Sequence, residues 1–487
     1  MCQTTLCRLE NAGLVFPGDP KQRLVLHDLS WSLHQGEHTV LIGRNGAGKT
    51  TLLRLLRGEA WATLGSISWL DQDGMSSSRI TGQAVTAMVS PAQQEYFQRS
   101  AKGLNGRELM LTGFDGTPML YTTADHEREE LVLDMAEQLD CVNLLRQNVT
   151  EISQGQLRLL LLARAMLRRP SLLLLDECTD GLDARHRELF ARALKKLSAV
   201  STIVMTTHRA SMIPSWITSR LYLCGGTLSQ SPCPFQEEEA DAFSAAESSC
   251  RETAQAEAAK DKEPEPLVSV ENATVYLAGR PVLHDISWQL YRGEHWLLQG
   301  GNGSGKSTFL HMLASDVPVA WPGKVAFHLP KDDNIPFANI RRRIRLVSDA
   351  NQALYEYDVT CLELVLSGLE NTVGLYRAFS DEEKSVAEGM LGKVGLHGLQ
   401  NASIRQISTG QLRRAFLARA LMGFPLVLLL DEACTGLDEK GRCSYLEVLD
   451  ALADEGLSYV FVSHYEEDTP TTINRRARMR QGRLELC

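Results

Sequence analysis

Nowhere in this chain do about eighteen apolar residues run together, so no helix able to cross a bilayer is encoded. The runs Leu159 to Leu162 and Leu172 to Leu175 are short, as expected of a buried helix and a buried strand. The opening Met1-Cys2-Gln3-Thr4-Thr5 has neither the basic start nor the apolar stretch of a secretory signal. The eleven cysteines show no close-paired metal-ligand spacing and are odd in number. Reduced thiols in a cytoplasmic protein are therefore expected, and a structural metal beyond Mg²⁺ is not. Basic excess is also missing: 50 Lys and Arg against 60 Asp and Glu leave a net charge of −10. That balance argues against a dedicated nucleic-acid binder, although local basic patches remain compatible with it. What is present, 44% hydrophobic and 23% charged residues, reads as soluble and globular.

The chain also says the same thing twice. Gly43-Arg44-Asn45-Gly46-Ala47-Gly48-Lys49-Thr50-Thr51 returns as Gly300-Gly301-Asn302-Gly303-Ser304-Gly305-Lys306-Ser307-Thr308. Lys306 follows Lys49 by 257 residues, Asp431 follows Asp176 by 255 and His464 follows His208 by 256. Outside the motifs, Val25-Leu26-His27-Asp28 matches Val282-Leu283-His284-Asp285, and Gly36-Glu37-His38 matches Gly293-Glu294-His295. This is a whole-domain duplication. It divides the 487 residues into a first domain, 1–232, an acidic flexible linker, 233–266, and a second domain, 267–487. The linker begins near Glu237-Glu238-Glu239 and ends at Glu263-Pro264-Glu265-Pro266; it holds too few large apolar residues to fold alone.

Each half alternates strand and helix. Thr39 to Ile42 and Trp296 to Gln299 are strand candidates entering the glycine loops. Leu172 to Leu175 and Val427 to Leu430, apolar at every position, read as central parallel strands, and Thr202 to Met205 and Tyr459 to Val462 supply another pair. Polar, helix-rich segments separate the glycine loop from the Leu-rich strand. The expectation is α/β, twice, each with a helical insertion.

The glycine loops predict phosphate chemistry. Backbone N–H groups of a strand-to-helix loop converge on a polyphosphate, Lys49 or Lys306 adds a fixed charge, and Thr50 or Ser307 offers a hydroxyl to Mg²⁺. Asp176-Glu177 and Asp431-Glu432 end the apolar strands. There an aspartate can hold the Mg²⁺ shell and the adjoining glutamate can polarise an attacking water. His208 and His464 follow the next strand in both halves, placed for a γ-phosphate contact. Ser153-Gln154-Gly155-Gln156 and Ser408-Thr409-Gly410-Gln411 open helices, either as anion sites or simply as caps.

Glycine loop, Ser-x-Gly-Gln, Asp-Glu, Gly-Leu-Asp and histidine, in that order and twice over nearly the whole chain, resemble the nucleotide-binding domain of ABC ATPases. The resemblance implies tandem P-loop NTPase domains, each with a helical insertion subdomain, that bind ATP and Mg²⁺ and close head-to-tail. ATP on Lys49 would be completed by Ser408, Gly410 and Gln411, and ATP on Lys306 by Ser153, Gly155 and Gln156. Asp183 and Asp438 match the family's interdomain loop, and Tyr276 is the candidate adenine-stacking residue of the second half. In the first half Phe16 and Val15 are both alignable. Four departures stand out. Gln154 and Thr409 replace a signature glycine, and Cys178 and Ala433 replace a proline. The family's conserved-loop glutamine is displaced, with Gln94 and Gln352 as substitutes, and the first adenine contact is ambiguous.

Within the family, Gly293-Glu294-His295-Trp296, the signatures through Arg158 and Arg413, and Ser367-Gly368-Leu369 to Tyr376 resemble the ModF-type duplicated ATPases associated with molybdate transport. This implies the energising subunit of a transporter whose permease is a separate membrane polypeptide. The protein is then expected in the cytoplasm or peripheral on the inner face of the membrane, as a monomer with an intramolecular pseudo-dimer. The alternative is a soluble mechanochemical ATPase acting on a ribosome, nucleic acid or protein partner. Arg475, Arg476, Arg478 and Arg480 are expected in a charged terminal hairpin, the alternative being a nucleic-acid or membrane-surface patch, and His27, His38, His284 and His295 in packing roles.

Overall fold

A computed structural model describes residues 4–15, 24–100, 103–120, 125–209, 212–232, 266–277, 279–328, 342–348, 355 and 358–487. The chain divides into two compact units, Met1–Pro234 and Phe235–Cys487. Nearly all of the predicted linker, 233–265, lies outside the described residues, as do Phe16 and Gln352.

In the first unit a six-stranded sheet runs in the order Thr227–Ser229, Ser219–Cys224, Thr39–Ile42, Thr202–Thr207, Leu172–Leu175, Thr86–Val89. Its five longer strands are parallel and Thr227–Ser229 closes one edge as an antiparallel hairpin. The second unit repeats this order with Arg483–Leu486, Arg475–Arg480, His295–Gly300, Ser458–Val462, Val427–Asp431 and Ile344–Ser348. An antiparallel sheet accompanies each, built on Thr5–Val15 and Leu24–His34 in the first unit and on Val268–Leu277 and Arg280–Leu290 in the second.

The uninterrupted Leu run follows from two-sided burial. Leu173 and Leu175 pack with Leu109, Leu160 and Val132 of the helical insertion, whereas Leu172 and Leu174 pack with Leu52, Leu55 and Leu26 beneath the antiparallel sheet. Since successive strand residues face opposite ways, a strand between two cores must be apolar throughout. Leu428 and Leu430 against Val427 and Leu429 repeat the division.

The terminal arginines do lie in a hairpin, Arg475–Arg480 with Arg483–Leu486, turned at Gln481 and Gly482. Among the described residues no helix is long and apolar enough to cross a membrane. Cys7, Cys141, Cys178, Cys361 and Cys434 are buried free thiols, but Cys224 is disulfide-bonded, an exception to the expected reduced state.

Candidate nucleotide sites

Both glycine loops lead from a strand of the parallel sheet into a short helix, Lys49–Leu56 or Lys306–Leu313. The capping residues Gly48 and Gly305 have φ of 100° and 106°, and no side chain caps either helix. A Cβ at Gly48 would lie 2.9 Å from Leu26 Cδ2, and one at Gly305 2.8 Å from Leu283 Cδ2. Glycine is thus required twice over, by conformation and by space. The uncapped N–H groups remain for an anion. Lys49 is buried and its Nζ donates to the carbonyls of Gly43 (2.7 Å) and Arg44 (3.2 Å). Lys306 does the same with Gly300 and Gly301, both at 3.0 Å. These bonds fix each ammonium inside its own loop.

The strand ends deliver the carboxylates. Thr50 Oγ1 donates to Asp176 Oδ2 at 2.8 Å, the pairing that a shared Mg²⁺ shell requires. Both residues line a cleft of about 390 Å³ that also exposes Ser90 and Gln93, so the pair is reachable from solvent. In the second unit Ser307 bonds Asp431, whose Oδ1 is buried without a hydrogen-bond partner. An orphaned carboxylate oxygen beside a hydroxyl suits a cation's donor set, so the residues fit Mg²⁺ in both sites. Burial pushes Asp176 and Asp431 above the ordinary aspartate range, against the hydrogen bonds from Thr50 and Thr206 or from Ser307.

Glu177 and Glu432 come next, with φ of 45° and 51°. This left-handed conformation costs a non-glycine residue roughly 1 kcal/mol and turns the side chain off the strand end in both copies. Lys49 Nζ lies 3.3 Å from Glu177 Oε1. Burial would push both glutamates up, but pairing with His208 or His464 and the charge of Lys49 or Lys306 outweigh it and hold them below the usual range. The paired histidines differ. His464 Nε2 is 2.9 Å from Glu432 Oε1, whereas His208 turns Nδ1 towards Glu177 Oε1 at 3.6 Å and Asp180 Oδ2 at 3.3 Å.

Ser153 and Ser408 each cap a helix, Gln154–Met166 or Thr409–Leu421, in reciprocal boxes with Gln156 and Gln411. The capping reading of these serines is therefore realised in each unit taken alone. Asp183 and Asp438 likewise cap the helices Ala184–Leu197 and Glu439–Asp454, and Asp183 also holds His186 Nδ1 at 2.8 Å. The two signature glycines face unequal surroundings. A Cβ at Gly155 would lie 2.6 Å from the His186 ring, but one at Gly410 meets nothing nearer than 3.4 Å. Gly410→Ala should therefore leave the melting temperature of the protein within about 2 °C while Gly155→Ala lowers it by more. Equal melting shifts in the two variants would refute that assignment.

Gln94 is buried on the helix Pro91–Ser100, with its Oε1 accepting from Arg158 Nε at 2.8 Å. Arg158 further donates to the carbonyls of Cys178 (2.8 Å) and Asp180 (2.5 Å). Gln94 thus braces the strand end from below. Cys178, in the proline's place, is buried, donates to Val89 O, and its thiol is pushed by burial to about 12, so it is chemically quiet. Tyr276 is 53% exposed near the end of its strand, its ring open to a ligand. His27 Nε2 lies 2.9 Å from Gly225 O, His38 packs edge-on against Trp216, and His295 stacks on Tyr459. All three are packing histidines.

Sequence reading missed Asp180 and Thr206. Thr206 Oγ1 donates to Asp176 Oδ1 at 2.8 Å and accepts from Glu177 N at 2.9 Å. The signal was available as mismatches inside the repeat, where Thr435 and Val462 stand in the second copy.

A phosphate loop, a buried Mg²⁺-type carboxylate, a strand-end glutamate and a histidine, all on a parallel sheet, define a P-loop nucleotide-binding protein, here in two copies. The ABC transporter family model matches residues 26–180 and 283–435, and the chain belongs to that family. It is 29% identical to the ABC transporter ATP-binding protein ModF of Escherichia coli K12 over 464 residues, covering 91% of each chain. An uncharacterized ABC transporter ATP-binding protein of Schizosaccharomyces pombe is 27% identical over 94% of this chain and 95% of its own. Among solved structures, an archaeal ribosome recycling factor in complex with the ribosomal stalk protein aP1 matches with a TM-score of 0.60 and 19% identity. That match covers 97% of this chain and 89% of the other, and it shows the shared fold.

Proposed function

We propose that both halves bind ATP with Mg²⁺ and hydrolyse it, and that the protein energises transport through a permease carried on a separate polypeptide. The observation that supports hydrolysis at both sites is the complete set of Lys49, Asp176, Glu177 and His208, repeated as Lys306, Asp431, Glu432 and His464. Bound Mg²⁺ would supply charge neutralisation at the phosphates. The chain's own groups do the rest. The lysines anchor the terminal phosphates, the ionised glutamates orient and deprotonate water, and the histidines contact the γ-phosphate.

Membership of the ABC transporter family and the likeness to ModF along the chain's length support the transport role. A molybdate-related system is its proposed specific form, on the sequence resemblance alone. The test is to purify Glu177→Gln/Glu432→Gln protein from cells in excess ATP and identify what accompanies it. An integral membrane protein is the expected companion. Ribosomes, nucleic acid or a soluble complex without a permease would overturn the transport reading in favour of a soluble mechanochemical ATPase.

A further inference from the structure

The two sites carry the same motif residues but not the same wiring. Asp180 precedes Gly181-Leu182-Asp183, and Thr435 stands at the equivalent place before Gly436-Leu437-Asp438. Asp180 and His208 form a close pair, with side chains 13% and 1% exposed. Both Asp180 oxygens and both His208 nitrogens are buried without an aligned hydrogen bond, so the 3.3 Å contact is an ion-pair distance. Turning Nδ1 to the carboxylates leaves His208 Nε2 with no hydrogen-bond partner among the described residues. In the second site the ring is used the other way round, with Nε2 held by Glu432 at 2.9 Å.

Glu177, Asp180 and His208 also bring their ligand atoms within 4.8 Å of one another, as a metal site would. The surroundings disfavour a further cation. Lys49 lies 3.3 Å from Glu177, and the charges of Arg158 and Arg209 act on Asp180. The acids already have their counter-charges, so an internal ion-pair network accounts for the cluster.

We infer that Asp180 is a positioning residue peculiar to the first site, which anchors His208 at Nδ1 and frees Nε2 for the terminal phosphate, making that site the faster of two inequivalent ATPase sites. A buried carboxylate that fixes an imidazole by one nitrogen sets what the other nitrogen can do. Among the described residues His464 pairs with Glu432 and with no second acid, so the nitrogen that faces Glu432 is engaged there. This rests on the proposal that both sites hydrolyse ATP.

The experiment uses full-length protein with one site silenced at a time. With Glu432→Gln only the first site turns over, and with Glu177→Gln only the second. The first is expected to be the faster. Adding Asp180→Thr to the Glu432→Gln chain should lower kcat about tenfold to a hundredfold with KM for ATP changed less than about twofold. Should that variant fold poorly, Asp180→Asn keeps the shape and removes the charge. Protein labelled with ¹⁵N-histidine gives the readout that a merely structural role would not move. The ring-nitrogen signals of His208, assigned by their loss in His208→Gln, should shift in Asp180→Asn while those of His464 stay. Unchanged His208 signals, or unchanged kcat in both Asp180 variants, would overturn the inference. If the Glu432→Gln chain binds ATP without hydrolysing it, the hydrolysis proposal fails instead, and the nitrogen signals still report on the Asp180 contact.

Discussion

Replacing Glu177 and Glu432 together by Gln should lower steady-state ATP turnover by about 10²- to 10⁴-fold while ATP binding stays within about threefold. The expectation comes from what each carboxylate touches. Glu177 lies 3.3 Å from Lys49 and 3.6 Å from His208, and Glu432 lies 2.9 Å from His464. None of these is a contact to the loop N–H groups or to the Thr50 and Ser307 hydroxyls, so an isosteric amide leaves the phosphate cradle intact. It removes only the group able to take a proton from water. Both glutamates are held below their ordinary range by histidine and lysine against the upward push of burial. Each is therefore ionised throughout the neutral range, and any acid limb caused by their protonation falls below the usual glutamate value. Equilibrium binding of a fluorescent ATP analogue with phosphate release in parallel makes the measurement. Turnover reduced less than tenfold in the double variant would place the proton acceptor elsewhere.

The fold was legible because its strongest signals are local. A strand between two cores must be apolar at every position, and Leu172 to Leu175 and Val427 to Leu430 are. Phosphate loops were legible because glycine there answers to a local demand of conformation and of space, visible at Gly48 and Gly305. The signature segments were half legible. Ser153 with Gln156, and Ser408 with Gln411, follow the Ser-x-x-Gln capping spacing, and within each unit the structure realises the cap. Gln94 shows what spacing leaves out, since its position near a strand end resembles a ligand contact while its amide oxygen accepts from Arg158, 64 residues away. No local pattern predicts so distant a partner. Asp180 and Thr206 were hidden for another reason. Each sits beside a motif residue without belonging to the motif, and only the comparison of one half with the other marks it.

Arg158 carries the largest stability prediction. The sequence marks it as the last residue of the signature, but its place in the structure is a buried bracket beneath the first site. One guanidinium bonds the Gln94 amide oxygen and the carbonyls of Cys178 and Asp180. It thereby ties the signature helix to the turn that follows Glu177 and helps offset the buried charge of Asp180. Arg158→Ala takes the donor from two buried acceptors and one half-buried one and leaves an acid with less compensation, a loss of about 3–5 kcal/mol. For a unit of this size that lowers the melting temperature of the first unit by about 10 °C. Arg158→Lys keeps the charge but lacks the planar fork, so it should restore part of the stability and only one or two of the three contacts. Because the lost bonds support Asp180, turnover at the first site, measured with Glu432→Gln, should fall in Arg158→Lys even at temperatures where the protein is fully folded. A melting temperature unchanged within about 2 °C in Arg158→Ala would mean that water satisfies those acceptors and that the bracket does not bear on the site.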